Sequence, residues 1–437
     1  MSYLIIGEIS VDVTLASSIN PYKMRLGGIV HIARACWAMG VDYTMAYISP
    51  QYLDETILDF LKSLNCFNVI KIANVTGCPN VFLIENVKEE LNQGYQHVLR
   101  EASKVVYDEE KINQISQLGF TDAMIVSGNY EFTKIEKCLT LSESIHYDVA
   151  NNVEDFSQLS LVNDKVETIF LSTSSPLFLT YYNGGFRDFA LRFKSHTKSL
   201  VLKENRGGSR AIVFEEDHVI KIDAQLQPIV HSVGLGDVYD ISYIISKQGL
   251  SFKESLNFAS WAAAEYASTT FPDVFNAGIK ALLGTDINDL IKLVGVSLPW
   301  EDRQEHLIYI AAPDFNYVDT TQIEHVCESL KYHNFRYVRP IQENGQLTSE
   351  SSKGDKRNTY LKDLELLNKS DVVIAVLLFN DPGTLIEIGW AAAKGKTVLV
   401  YDPKNIAMNC FLTEMPNVVS NSLDDILVEL FKTVSNL

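Results

Sequence analysis

The sequence predicts an α/β protein of two domains, each a mainly parallel sheet covered by helices. Three observations predict it. Short β-branched runs such as Leu4 to Ile6, Met124 to Val126, Thr168 to Leu171 and Leu200 to Leu202 alternate with stretches of helical period, the pattern of buried parallel strands joined by crossover helices. The 437 residues exceed the roughly 250–300 that one core supports. At Pro299-Trp300-Glu301-Asp302-Arg303-Gln304-Glu305 a polar segment opened by proline precedes a fresh strand, Leu307 to Ile310, which sets the boundary between domains spanning 1–298 and 305–437.

In chain order, the first domain begins with the Leu4 strand, and its alternation is interrupted from about Asn80 to Val106. There Val81, Leu83, Tyr95, His97 and Leu99 predict antiparallel strands in a small projecting sheet. The second domain has strand candidates at Leu307, Tyr337, Val372 and Val398 with helices between them. Composition narrows the function. With 46% hydrophobic and 21% charged residues the chain has material for packed cores. A net charge of −18 repels a phosphate backbone and an anionic membrane, so nucleic-acid polymers and membranes are not expected partners. The longest apolar run, Val372 to Phe379, is too short to cross a bilayer. Six scattered cysteines without a C-x-x-C pair argue against disulfides and a zinc site and fit the cytoplasm; no metal site is read from them.

The sharper chemistry lies in the second domain. Asp371 to Phe379, then Asn380-Asp381-Pro382-Gly383-Thr384, then Leu385 to Gly395 read as strand, loop and helix, and ligands of open parallel sheets bind at that carboxyl edge. Glu387 lies among Leu385, Ile386, Ile388 and Trp390, where an unpartnered carboxylate costs several kcal/mol; a functional acid and a structural ion pair explain it equally well. Asp381 precedes a Pro-Gly turn and suits turn chemistry, while Asp363 lies on an amphipathic helix ending before the Asp371 strand and suits a solvated face. Together the three acids suit cleavage at an anomeric carbon through an oxocarbenium-like transition state. One carboxyl must then hold a proton for the departing base while the nucleophile stays ionised. A loop aspartate beside another acid can do the first, and nearness to a helix N-terminus favours the second for Glu387. The polar stretch Gln342 to Arg357, with Lys353, Lys356 and Arg357, reads as a solvated loop.

From about Leu307 to Leu430 the chain resembles the nucleoside 2-deoxyribosyltransferases, through Ile308-Tyr309-Ile-Ala-Ala-Pro-Asp-Phe315, Asp363-Leu-Glu-Leu-Leu, Ser370-Asp371-Val-Val-Ile-Ala, Asp381-Pro-Gly-Thr-x-x-Glu387-Ile-Gly389-x-Ala and Gly395-Lys-x-Val. The resemblance implies a flavodoxin-like fold and a homo-oligomer whose neighbouring subunit completes the site. It also implies Glu387 as the nucleophile forming a deoxyribosyl ester, Asp363 and Asp381 holding the base and exchanging its proton, and Tyr309 orienting the nucleophile. Asn409 looks like the residue lent across. No cofactor is implied; the substrates are nucleosides and free bases.

Residues 1 to about 296 resemble the ribokinase-like sugar and nucleoside kinases, through Gly7-Glu-Ile-Ser-Val-Asp12, Leu26-Gly27-Gly28 and Ser232-Val-Gly234-Leu-Gly236-Asp237. This implies a three-layer α/β domain with a small β lid. Asp12, Gly27 and Gly28 would bind the acceptor, Gly234 and Gly236 would form an anion hole at a helix N-terminus, and Asp237 would take the acceptor's proton. Taken alone, those glycines and Asp237 suit a turn with a helix cap. The resemblance is incomplete: His231 and Leu235 stand where the family has aspartate and alanine, His31 where it has asparagine, and Ser172-Thr-Ser-Ser-Pro-Leu-Phe178 lacks the N-x-x-E that organises magnesium. The expected function is 2-deoxyribosyl transfer between bases through a glutamyl-sugar intermediate, beside a kinase-like domain that binds a sugar or nucleoside. The alternatives are N-glycoside hydrolysis by the same nucleophile, and a bifunctional enzyme whose kinase half uses ATP and Mg2+.

Overall fold

Runs of aliphatic residues buried on both faces favour parallel strands. In the computed structural model, which describes residues 2–15, 22–161, 166–348 and 350–437, seven such strands lie side by side in the first unit. Their order is Ser199–Lys203, Val166–Ser172, Ser142–Asp148, Phe120–Val126, Tyr3–Glu8, Tyr43–Ser49 and Asn68–Thr76, all parallel. Antiparallel strands Ser209–Val213 and His218–Ile222 extend one edge and Lys104–Tyr107 closes the other. The winding reverses at Tyr3–Glu8, so the crevice at its carboxyl end is the topological switch point where ligands bind in such sheets.

A second sheet joins Lys23–Leu26, Val11–Thr14, Val81–Ile84 and Gln96–His97. The expected antiparallel pairing near Asn80 to Val106 is present between Val81–Ile84 and Gln96–His97. The sheet also recruits Val11–Thr14, which pairs in parallel with Val81–Ile84. Asp12, which follows the first strand in sequence, therefore stands on a strand of this second sheet.

The chain divides into Met1–Glu89 with Gln93–Ser297, and Glu90–Asn92 with Leu298–Leu437. The second unit's sheet runs Arg336–Val338, Leu307–Ala311, Val372–Val376, Thr397–Tyr401, Val418–Ser420, all parallel. This is the 2-1-3-4-5 doubly wound order, with its switch point between the first and third strands in sequence. Val418–Ser420 escaped the sequence reading because a half-buried three-residue strand carries little pattern. The Gln342 to Arg357 stretch is not one loop. Ser352 caps a helix at Lys353–Lys369 through a reciprocal capping box with Asp355, so Lys353, Lys356 and Arg357 lie in that helix; Ser349 is outside the described residues. The polar Pro299 to Glu305 segment belongs to the second unit. Arg303 there is fully buried, donates to the carbonyls of Leu298 and His333, and lies 5.2 Å from the Trp300 ring and 5.0 Å from that of Phe431. Among the described residues no helix is long and apolar enough to cross a membrane.

Two glycines in the first unit separate conformational from steric demand. Gly40 ends the Val30–Met39 helix at φ 69° with nothing within 4 Å of a would-be Cβ. Gly28 has φ 60° and its Cβ would meet the Glu8 carbonyl oxygen at 2.1 Å. Gly40→Ala should therefore cost ~1 kcal/mol, and Gly28→Ala roughly 3 kcal/mol or more, read from the urea midpoints of the full chain.

Candidate active site

Tyr309 is the third residue of the Leu307–Ala311 strand, fully buried beside Val373 of the neighbouring strand. The Val372–Val376 strand leads into the Pro382–Ala393 helix, whose buried stripe is Thr384, Ile388 and Ala391. Glu387 falls beside that stripe by helical period. Its carboxylate Oε1 accepts a 2.7 Å hydrogen bond from the Tyr309 hydroxyl. Burial pushes the Glu387 carboxyl up to about 7; the Tyr309 bond favours its charged form, while Asp363 and Asp381 both push it further up. The three acids and Tyr309 thus share one locality, and Tyr309 is itself driven upward by burial and the Glu387 charge.

The two aspartates differ. Asp381 is the N-cap of the Glu387 helix, its Oδ2 accepting from Thr384 N–H at 2.8 Å and the Thr384 hydroxyl at 3.0 Å. Asp363, half-way along the Lys353–Lys369 helix, has its carboxyl raised by burial, and Asn344 donates to its Oδ1 at 2.7 Å. The expectation that the helix N-terminus keeps Glu387 readily ionised is corrected: it sits past the first turn, and burial outweighs the dipole. Asn344 was missed because it lies in an unremarkable polar stretch. Asn409 makes no hydrogen bond to Glu387, Asp363, Asp381 or Tyr309 among the described residues. It caps the Cys410–Glu414 helix by accepting from Phe411 N–H, with Met408 86% and Phe411 72% exposed on either side.

In the first unit, Asp12 is buried and Gly27 packs so closely that a Cβ would meet its carboxylate at 2.1 Å. Ser10 donates to Asp12 at 3.2 Å, and His31 Nε2 lies 3.3 Å from its Oδ2. Burial lowers the His31 pKa to about 4 despite Asp12, so the ring is neutral at pH 7. With its proton on Nε2 facing Asp12, Nδ1 accepts from the Tyr266 hydroxyl at 2.6 Å and from Arg34 at 3.0 Å. His231, brought down to about 3 mainly by burial, likewise donates from Nε2 to the Thr269 carbonyl at 2.8 Å and accepts from Arg25 at 3.3 Å. Both histidines that depart from the kinase pattern are neutral links in a buried network.

Gly234, at φ 81°, is the N-cap of the Leu235–Ser246 helix, so Gly236 and Asp237 lie within its first turn and not before it. A Cβ on Gly234 would strike the His31 ring at 2.2 Å. Burial first, then Asp148, raises Asp237 to about 8, with Lys203 opposing. At neutral pH it mostly holds its proton. Lys203, which drew no notice in the sequence, ends the Ser199–Lys203 strand with its ammonium 2.7 Å from Asp240 and 3.3 Å from Asp148. A lysine closing a strand of buried aliphatics and an aspartate one turn after Asp237 were the available signals.

Residues 308–437 match the family model of nucleoside 2-deoxyribosyltransferases. A comparison with curated proteins finds no match. Among solved structures, the ribokinase of Thermotoga maritima is similar at 11% identity and a TM-score of 0.48, over 65% of this chain and 99% of that one. A Burkholderia thailandensis nucleoside kinase in complex with inosine is similar at 14% identity and a TM-score of 0.48, over 64% and 95%. For an Arabidopsis thaliana ribokinase complexed with ribose and ATP the values are 13%, 0.46, 65% and 99%.

Because Glu387 is raised from 4.5 to about 7, the folded state favours its neutral form. Wild-type stability is lost as pH rises through about 7. Glu387→Gln should therefore be more stable than wild type by ~1–3 kcal/mol at pH 8 and equal to it below pH 4.5, measured as denaturant midpoints at the two pH values.

Proposed function

We propose that residues 308–437 transfer 2-deoxyribose between nucleobases, with Glu387 as nucleophile. The family match supports the class of reaction; the single observation that carries the mechanism is the 2.7 Å bond from Tyr309 to Glu387 beside two further acids. In the first half-reaction a Glu387 oxygen bonds to C1′ as the C1′–N bond breaks, and its electron pair leaves with the base. The base nitrogen takes a proton from Asp363, whose half-buried carboxyl is raised and whose position Asn344 fixes. Asp381, held by Thr384, accepts from the base edge. A second base then attacks C1′, returns its proton to Asp363 and frees Glu387. No cofactor enters.

The raised Glu387 keeps the charge poorly solvated until a sugar cation develops beside it, so attraction grows toward the transition state. Tyr309 restrains that rise and holds one oxygen, leaving the other for C1′. The N-terminal unit, in this reading, holds a sugar or nucleoside against Asp12, with Gly27 and Gly28 giving the close backbone approach.

Incubating a deoxynucleoside with a different free base and chromatographing the products tests the reaction. Wild type should yield the new nucleoside, and Glu387→Gln should lose at least ~10³-fold in rate; free sugar without new nucleoside would mean hydrolysis instead. Tyr309→Phe removes a bond to the charged form, so the ascending limb of the pH–rate profile, set near 7 by Glu387, should move up by about one unit. We further propose that a second copy of the chain lends Asn409 to the site. Equal amounts of inactive Glu387→Gln and Asn409→Ala, exchanged into mixed dimers, should then recover roughly a quarter of wild-type activity; no recovery would place Asn409 outside its neighbour's site.

A further inference from the structure

The kinase resemblance implies a divalent cation that neutralises and organises a polyphosphate. The donors gathered at the corresponding place do not fit one. Asp148, closing the Ser142–Asp148 strand, and Asp240, one turn into the Leu235–Ser246 helix, are both bonded to the Lys203 ammonium. Among the described residues no group of three or more His, Cys, Asp or Glu side chains is placed to hold a metal ion. The Ser172 to Ser175 turn, where an acid pair is expected, supplies hydroxyls, with Ser172 and Ser174 2.8 Å apart.

A cation is nonetheless present there. The Lys203 side chain is only 12% exposed, and its Nζ lies 3.1 Å from where a Cβ on Gly236 would stand. The ammonium thus rests against the first turn of the helix, in a space that only glycine leaves open. Of its three N–H groups, two face Asp148 and Asp240, leaving one for a ligand. Among the described residues, the backbone N–H groups of Gly236 and Asp237, at positions where a helix start has no intrahelical acceptor, have no main-chain partner. Among the described residues one buried hydroxyl close by makes no hydrogen bond: Oγ1 of Thr173, whose backbone N–H donates to the Lys203 carbonyl. Such an orphan at 2% exposure is costly unless a ligand meets it.

We propose that the Lys203 ammonium is a built-in substitute for the metal, and that the first unit binds a phosphoryl group at the N-terminus of the Leu235–Ser246 helix without a divalent cation. The helix amides and the free N–H of Lys203 contact the phosphoryl oxygens, and Thr173 donates its hydroxyl. Burial drives Asp237 up to about 8, so it mostly holds its proton near neutral pH and does not repel the anion, while Asp240 is paired with the Lys203 ammonium. The phosphoryl group belongs to a nucleotide or to free phosphate; both carry the same chemistry.

Calorimetric titration of the full chain with ATP, and separately with inorganic pyrophosphate, in EDTA and in excess Mg2+, tests this. At least one ligand should bind in EDTA with a dissociation constant less than about tenfold weaker than in Mg2+. Binding by both assigns the site to the phosphoryl group alone, and by ATP only to a nucleotide. The paired change Lys203→Met with Asp240→Asn removes the ammonium and balances its loss, and should weaken EDTA binding by about tenfold or more. Should that variant fail to fold, Gly236→Ala pushes the ammonium away with the ion pairs intact and should weaken binding by about threefold or more. A tenfold or greater gain from Mg2+, undiminished binding by the variant that folds, or no binding of either ligand would overturn the proposal. Base exchange through Glu387 is a separate readout and stays unchanged under either result.

Discussion

One hydroxyl donating to one partly buried carboxylate sets the terms for the second unit. Tyr309 reaches Glu387 because the strand that carries it and the strand that feeds the Glu387 helix are adjacent and parallel. Side chains at their carboxyl ends must then converge. Burial costs the carboxylate its water, and two neighbouring acids add repulsion. The tyrosine is the one named group that favours its charge. Reactivity and restraint therefore come from the same geometry, and loosening the sheet register would dissolve both.

Much of the architecture is legible in the sequence, for physical reasons. Strands such as Val372–Val376 and Leu200 to Leu202 are buried on both faces, and only aliphatic runs satisfy that. The odd acids were visible too, since Glu387 among Leu385, Ile386 and Ile388 violates the apolar pattern around it. The pattern could not give their environment. Asp381 turned out to be a helix cap as well as a neighbour of Glu387, and Asn344 meets Asp363 only because the chain folds back between residues 344 and 363. The strand holding Asp12 escaped because it is only four residues long and its parallel partner, Val81–Ile84, lies some seventy positions away, while its nearer antiparallel partner, Lys23–Leu26, is half basic and half exposed.

The first unit shows what departures from a family pattern can mean. Read singly, His31 and His231 look like losses, and Lys203 draws no notice. In place, the two histidines are neutral connectors, one behind Asp12 and the other under Arg25, and the lysine is tied to two aspartates. These groups are mutually consistent: each has a hydrogen-bonding neighbour, so they form connected links in a polar interior.

The fully buried Arg303 changes what the junction between the halves amounts to. A segment rich in charge invites the view that it is a tether, free to be shortened, lengthened or clipped. Its guanidinium instead serves as a keystone, closing the bottom of the C-terminal half between an indole and a phenyl ring. Cutting the chain after this segment would therefore strip the second unit of a buried cation and leave the Leu298 and His333 carbonyls without their donor.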